Sequence, residues 1–185
     1  VNNNLDVDLK KIKLKLDPLN FKIYTKTDGT TLFLSKRSLP LEYVKSEFSI
    51  ISLLKNKLSI SNIEVNSKSL LLNDFISFVR LASGKPELFL LEKIVKQGNI
   101  ILNLSLNLDE DGNIKNDYKI NGLVENGNID LLHKGNLEKI NFDFNLKKDD
   151  YIFNQIEFKF KNINFKSEKL KIKKKKNIFL VNGSV

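Results

Sequence analysis

Side chains able to do acid–base, nucleophilic or metal chemistry are sparse in this sequence, and their spacing assembles none of the usual constellations. His133 is the single histidine. It sits beside Gly135 and Asn136 in a turn signal, with no second ligand or carboxylate at a spacing that builds a triad or a metal site. Asp109, Asp111 and Asn113 around Gly112 could open a calcium loop, but no Glu closes the ligand set. A hairpin turn explains those residues better. The chain has no cysteine, which removes disulfides, thiolate ligation and cysteine nucleophiles together. Phosphate-cradling glycine loops and nucleophile elbows are missing as well. Asn103-Leu104-Ser105 and Asn182-Gly183-Ser184 match the glycosylation triplet, as an Asn-rich chain will by chance. The sequence predicts a non-enzymatic protein with no cofactor and no metal.

Charge is the next candidate. The 31 Lys and Arg against 22 Asp and Glu give a net +9, which raises nucleic acid and anionic surfaces as partners. Nearly all of that charge is Lys, with Arg only at Arg37 and Arg80, while Trp and Met are absent. An AT-rich coding sequence that fills solvated positions with Lys and Asn produces this pattern without any polyanion. Lys173–Lys176 is the one tight run, suited to blunting a turn or a sheet edge. In Phe158-Lys159-Phe160-Lys161 aromatics and cations alternate as on a base-stacking platform. In a strand, however, they point to opposite faces. No nucleic-acid partner is expected, and a carbohydrate- or polyanion-binding module using the Lys face remains as an alternative.

Whatever site exists must be positioned by a sheet. Leu5, Val7 and Leu9 alternate with polar residues, slip by one at Lys10-Lys11, and resume as Ile12, Leu14 and Leu16, which reads as a bulged strand. Asp17-Pro18, Thr27–Thr30 and Ser38–Pro40 read as breaks between strands. Val44, Ser46, Phe48 and Ile50 alternate, Ser49–Lys57 connects, and Leu58, Ile60, Ile63 and Val65 continue. From Ile100 a meander follows, with turns expected at Asp109–Asn113, Asn126-Gly127, His133–Asn136 and Lys147–Asp150, and a slip between Phe153 and Ile156.

Only 73–98 leaves the period of two. Phe75, Ile76, Phe78, Val79 and Ala82 recur at helical spacing, and Leu88, Leu91, Glu92 and Val95 repeat it after Gly84-Lys85-Pro86. Gly84 and Pro86 should end one helix and open the next. The expected fold is mainly β with a short helical insert, as one domain over 1–185. Strands fill 1–72, one kinked or two short amphipathic helices fill 73–98, and a strand meander fills 99–185. The chain starts without Met and stops inside a strand-like segment, so a piece of a longer protein is expected, with any leader or anchor outside it.

The sheet and the helices are mismatched in area. A dozen short strands present an apolar face on the order of 1,000 Å², and two helices of about 10 residues cover roughly a third of it. Monomers seldom expose contiguous apolar patches larger than a few hundred Å². The sheet must therefore close around a dry core, continue into neighbouring segments, or form a trough filled by acyl chains.

Ser46–Arg80 carries a resemblance that bears on this choice. A strand ending in the turn Ser52–Lys57, the strand Leu58–Val65 (LSISNIEV) and the short Ser69–Leu72 resemble the core of AsmA-like proteins. Leu14–Tyr24 is similar to the strand pairs before that core. The second half resembles the repetitive β-body of TamB-YhdP-type envelope proteins in the bridge-like lipid transfer superfamily. The resemblance implies a long antiparallel, strongly curved sheet forming a U-shaped groove. Its implied function is to bind and conduct phospholipid acyl chains between inner and outer membranes. It implies a periplasmic location, a tether to the inner membrane outside this segment, and partners in both membranes. No catalytic residue is carried over. The inward positions expected to face lipid are Phe48, Ile50, Leu58, Ile60, Leu102, Leu104, Leu106, Ile120, Phe142, Phe144, Phe158 and Phe160. The same positions suit a dry core, as in a structural β-domain aiding outer-membrane assembly. The helices are then expected to form a partial lid, with Arg80, Lys85 and Lys93 on its solvent side.

Overall fold

The computed structural model describes residues 5–35, 37–55, 60–109, 115, 117–176 and 178–184. Among them, thirteen strand segments form one antiparallel sheet that does not close on itself. In chain order these are β1 (Leu5–Asp8), β2 (Lys11–Asp17), β3 (Lys22–Asp28), β4 (Thr31–Leu34) and β5 (Arg37–Ser49). Helix α1 (Ile50–Leu54) leads to β6 (Ile60–Ser67) and β7 (Leu70–Leu71). Helices α2 (Leu72–Ser83) and α3 (Glu87–Ile94) come next. The remaining strands are β8 (Val95–Asn107), β9 (Lys119–Asp130), β10 (Asn136–Lys147), β11 (Asp150–Phe160), β12 (Ile163–Lys175) and β13 (Ile178–Gly183).

The segments fall into a simple meander once their registers are followed. Leu5 faces Leu34 and Lys11 faces Asp28, so β1 and β2 continue one register against β4 and β3. Thr31 faces Pro40 and Lys22 faces Ser49, which places β4 and β3 on one register along β5. β6 and β7 likewise share β8. Each row therefore pairs with its neighbours in sequence, as short connections favour.

Three expected boundaries turn out to lie inside these rows. The slip at Lys10-Lys11 is one end of a crease that also crosses Gly29-Thr30 and Leu41–Tyr43. Gly29 N–H donates to Glu42 C=O and Leu41 N–H to Thr30 C=O, both at 2.8 Å, so the ladder runs straight through. Thr27 and Thr30, both buried, pair their hydroxyls across it at 2.8 Å. Thr27–Thr30 thus ends β3 at Asp28 as expected but does not turn the chain, Ser38–Pro40 lies inside β5, and the reversal falls at Ser35, with φ 56°. Asn126-Gly127 is not a hairpin turn either. Asn126 has φ 53°, but β9 continues through it to Asp130. A residue with positive φ serves a bulge as readily as a turn, and the partner strand decides which forms. Positive φ at Gly98, Asn126, Lys139 and Gln155 marks a second crease across β8–β11, with register shifts at the pairings it crosses.

The helical segment is shorter than expected. Gly84 closes α2 in the left-handed region, at φ 64°, and its N–H reaches Arg80 C=O at 3.0 Å, a conformation that costs glycine little. Val95–Gly98 is strand, not helix. Val95 is 4% exposed and faces Ile129, so pairing with β9 outweighs the helical spacing. A further helix, α1, replaces the strand expected at Ile50. Ser49 caps it by accepting from Ser52 N–H at 3.3 Å, as N-cap serines do.

The core lies where α2 crosses β4, β5, β7 and β8. Phe78 packs there with Leu34, Leu39, Leu41, Leu70, Ile100, Leu102, Val124 and Phe144. Phe144 sits over Gly122, where any Cβ would come within 2.6 Å of its ring and 2.3 Å of Ile101 C=O. The row beneath that ring must be glycine.

A polar latch joins the helices. Ser77 Oγ donates to one Glu92 oxygen and Arg80 Nε to the other at 2.6 Å. Arg80 is therefore engaged between the helices instead of free on the lid's solvent side. The Ser77 hydrogen bond, then that of Arg80, holds the Glu92 carboxyl below its ordinary value. A carboxylate lowered in the folded state stabilises above its unfolded value and loses that contribution as pH falls through the lowered one. Glu92→Gln is expected to cost about 1–2 kcal/mol near neutral pH. The difference in Tm from wild type should shrink steadily in an acid titration followed by circular dichroism.

Candidate functional site

Helix cover stops at β8. α2 and α3 make their main sheet contacts with β4, β5, β7 and β8, and none of comparable extent with β9–β13. Beyond that boundary the apolar face forms a hollow of about 300 Å³. Its walls are Ile129 of β9, Leu137, Ile140 and Phe142 of β10, Phe153, Ile156 and Phe158 of β11, and Leu170 and Ile172 of β12. All nine side chains are hydrocarbon.

Alternation and aromatic packing build this surface. Phe142 meets Phe153 edge-on at 5.8 Å and tilts against Phe144 at 6.2 Å. Phe158 stacks on its cross-strand partner Phe165 at 5.0 Å and 11°. Such pairs hold rings in fixed attitudes. Between them, Asp143, Glu157, Lys171 and Lys173 point to the opposite face, because side chains in a strand alternate. Glu157 there pairs with Lys166 at 2.6 Å, and Lys171 with Asp150 at 3.4 Å. One sheet thus carries a hydrocarbon side and a charged side.

The twelve expected lipid-facing positions divide between the two halves. Leu102 and Phe144 are buried in the core, with Leu104, Ile120 and Phe142 packed against it. Phe142 and Phe158 wall the hollow. Phe48 and Ile60 are half-buried cross-strand partners, and Leu106 and Phe160 are half-buried on their strands. Ile50 opens α1 and so leaves the strand alternation. Leu58 lies outside the described residues, as do Ile114 and the Asp111–Asn113 part of the acidic turn. His133 falls in a short 3-10 turn at Leu132–Lys134. Seven wall residues lie outside the twelve: Ile129, Leu137, Ile140, Phe153, Ile156, Leu170 and Ile172. The slips at Lys139 and Gln155 move the inward phase within a strand, and each shows as broken alternation, from Leu137 to Ile140 and from Phe153 to Ile156.

The charged face has its own hollow, about 410 Å³, walled by Lys13, Lys15, Tyr24, Lys26, Lys45, Glu47 and Glu64 among others. Most of its cations are already paired. Lys13 and Lys26 share Asp28 at 2.8 and 3.0 Å, and Lys45 reaches Glu64 at 3.2 Å. Tyr43 OH donates to Glu64 at 2.7 Å, which pushes the phenol up and holds the carboxyl down. These groups form an ion-pair lattice, and the hydrocarbon hollow is the better candidate.

Fold and hollow define a class of protein: an antiparallel β-meander whose apolar face is capped over one half and bare over the other. No protein-family model, curated protein or solved structure matches this chain. Among the described residues no helix is long and apolar enough to cross a membrane.

Proposed function

We propose that the hollow over β9–β12 holds phospholipid acyl chains, as one segment of an apolar β-groove in a bacterial envelope protein of the AsmA-like kind. In this reading the groove conducts lipid between inner and outer membranes from a periplasmic position, and no residue does covalent chemistry. The observation that carries it is the set of nine hydrocarbon walls left without helix cover. Each methylene moved from water into such a site gains about 0.8 kcal/mol, while headgroups stay at the solvated rim. The crease through Gly98, Asn126, Lys139 and Gln155 is where the sheet would bend into a U-shaped trough, since bulges bend and twist strands.

Lipid extraction or native mass spectrometry of gently purified protein tests the proposal. Co-purified phospholipid is the expected result, and lipid-free protein would sink it. The competing structural domain, favoured by the burial of Leu102 and Phe144 in the core cluster, predicts lipid-free protein with the hollow covered by further polypeptide.

A further inference from the structure

Among the described residues the sheet ends in two unpaired edges, the row formed by β1 and β2 and the strand β13. The first is guarded by charge. Asp6, Asp8, Lys11, Lys13 and Lys15 alternate with its apolar residues, a pattern that discourages further strands from adding. β13 has no such guard. Ile178, Phe179, Leu180 and Val181 follow one another without a charge and are 65%, 58%, 45% and 58% exposed. Lys173, Lys174 and Lys175 lie on β12, one strand in from the edge.

β13 also breaks the division between the two faces. Val181 faces Ile172 and Phe179 faces Lys174, so both belong to the hydrocarbon side. Leu180 faces Lys173 and Ile178 faces Lys175, which sets two apolar side chains on the charged side. The backbone of this edge is open too. Ser184 N–H donates to Lys169 C=O at 3.4 Å, while Lys174 N–H turns the other way, to Asp149 C=O at 2.9 Å. Alternation along an antiparallel ladder then directs the N–H and C=O groups of Phe179, Val181 and Gly183 away from β12 and into solvent.

We propose that β13 pairs antiparallel with β13 of a second copy of this chain, about a two-fold axis at Leu180. The faces of two copies align only where odd-numbered residues oppose odd-numbered ones. With Leu180 on the axis, Leu180 opposes Leu180 and Phe179 opposes Val181, so apolar meets apolar on both faces. The open groups of Phe179 and Val181 then make about four ladder hydrogen bonds. A register centred on Val181 would set Leu180 against Asn182 instead. Charge permits the pairing, because the β12 lysines of the two copies stand three strand spacings apart, ~14 Å, beyond the Debye length of ~8 Å. The guarded edge does not fit. With its faces aligned, β2 of another copy would bring its lysines directly against Ile178 and Leu180, two spacings from Lys173 and Lys175. The four apolar side chains offer roughly 900 Å² over both copies, the low end for specific interfaces, so the dimer is reversible. The pairing needs β13 alone, and it holds with or without lipid in the hollow.

Single-cysteine variants read the register, since the chain has no cysteine of its own. Across a two-fold at Leu180 the two Cα atoms of that residue stand ~4.5 Å apart, within reach of a disulfide. Leu180→Cys should therefore be trapped as a covalent dimer under mild oxidation. Ile178→Cys, at a more exposed position, should not, because its two copies lie four residues apart along the ladder, ~13 Å. Sedimentation equilibrium of wild type from about 5 to 200 μM should show a reversible association that stops at two copies. Leu180→Lys should weaken it about tenfold or more, through lost apolar contact and like charges set opposite one another, with the far-ultraviolet circular dichroism unchanged. Phe158→Asp should dimerise like wild type. Wild type that stays monomeric throughout, or equal cross-linking at 178 and 180, would overturn the proposal. So would assemblies that grow past two copies, the mark of β13 pairing with β2. A monomer whose Phe179 and Val181 amides resist hydrogen exchange would overturn it as well, by giving the edge to another segment of the chain.

Discussion

Phe144→Ala is expected to lower the stability of the folded chain by about 3–5 kcal/mol, the range for removing a buried aromatic ring. The upper part of that range applies because the site cannot relax. The ring lies over Gly122, which has no side chain to move into the space, and its neighbours Ile100, Leu102 and Val124 are held by sheet register. Gly122→Val approaches the same contact from below, with a clash against Ile101 C=O that backbone movement alone can relieve, and should cost about 3 kcal/mol. For a chain of this length each kcal/mol moves Tm by about 2–4 °C, so urea or thermal unfolding will resolve both. A cost below about 1 kcal/mol for Phe144→Ala would mean that the capped half of the sheet is not a packed core.

Phe158→Asp is expected to behave oppositely, although Phe158 is also a phenylalanine on the apolar face, one row away. The loss of its stacked contact with Phe165 should cost about 1 kcal/mol. The new carboxylate faces an open hollow and stays hydrated, so burial adds no large penalty. An acyl chain placed against it would have to displace that hydration. Binding of a fluorescent fatty acid or a photo-crosslinkable phospholipid should therefore fall by about a hundredfold or more, with the far-ultraviolet circular dichroism unchanged. Equal binding by Phe158→Asp and wild type would remove the hollow from consideration as the lipid site. A collapse of the fold would place Phe158 in a sealed interior instead.

The two substitutions together show how much of this protein was legible in its residues. Both phenylalanines sit in plain alternation, and both were expected to face inward. Nothing in the alternation separates a sealed position from an open one, because it records which face a side chain takes and not what lies above that face. The buried cluster that forms where α2 crosses β8 makes that distinction, since it takes in Phe144 and leaves Phe158 out. It depends on where β7 ends and β8 begins, not on the composition of β10 or β11.

The helices show the same division. Phe75, Ile76 and Phe78 announced the buried stripe of α2, since helical spacing is a local property. Ser77, the residue between them, is also buried, and its value lies in meeting Glu92 of the next helix. Spacing cannot announce that contact, because it arises only after Gly84 has turned the chain.

By itself the sequence determined the antiparallel sheet, its two chemical faces, the helical insert and the poverty of catalytic side chains. Each of these follows from periodicity and residue type over a few positions. Tertiary structure decided that Gly29 and Asn126 kink rows instead of ending them, that Val95 joins a strand, and that the apolar face is sealed over one half and bare over the other. A left-handed residue permits both a turn and a bulge, and an apolar face accepts a helix, a lipid or another sheet. The neighbour that arrives in space makes the choice.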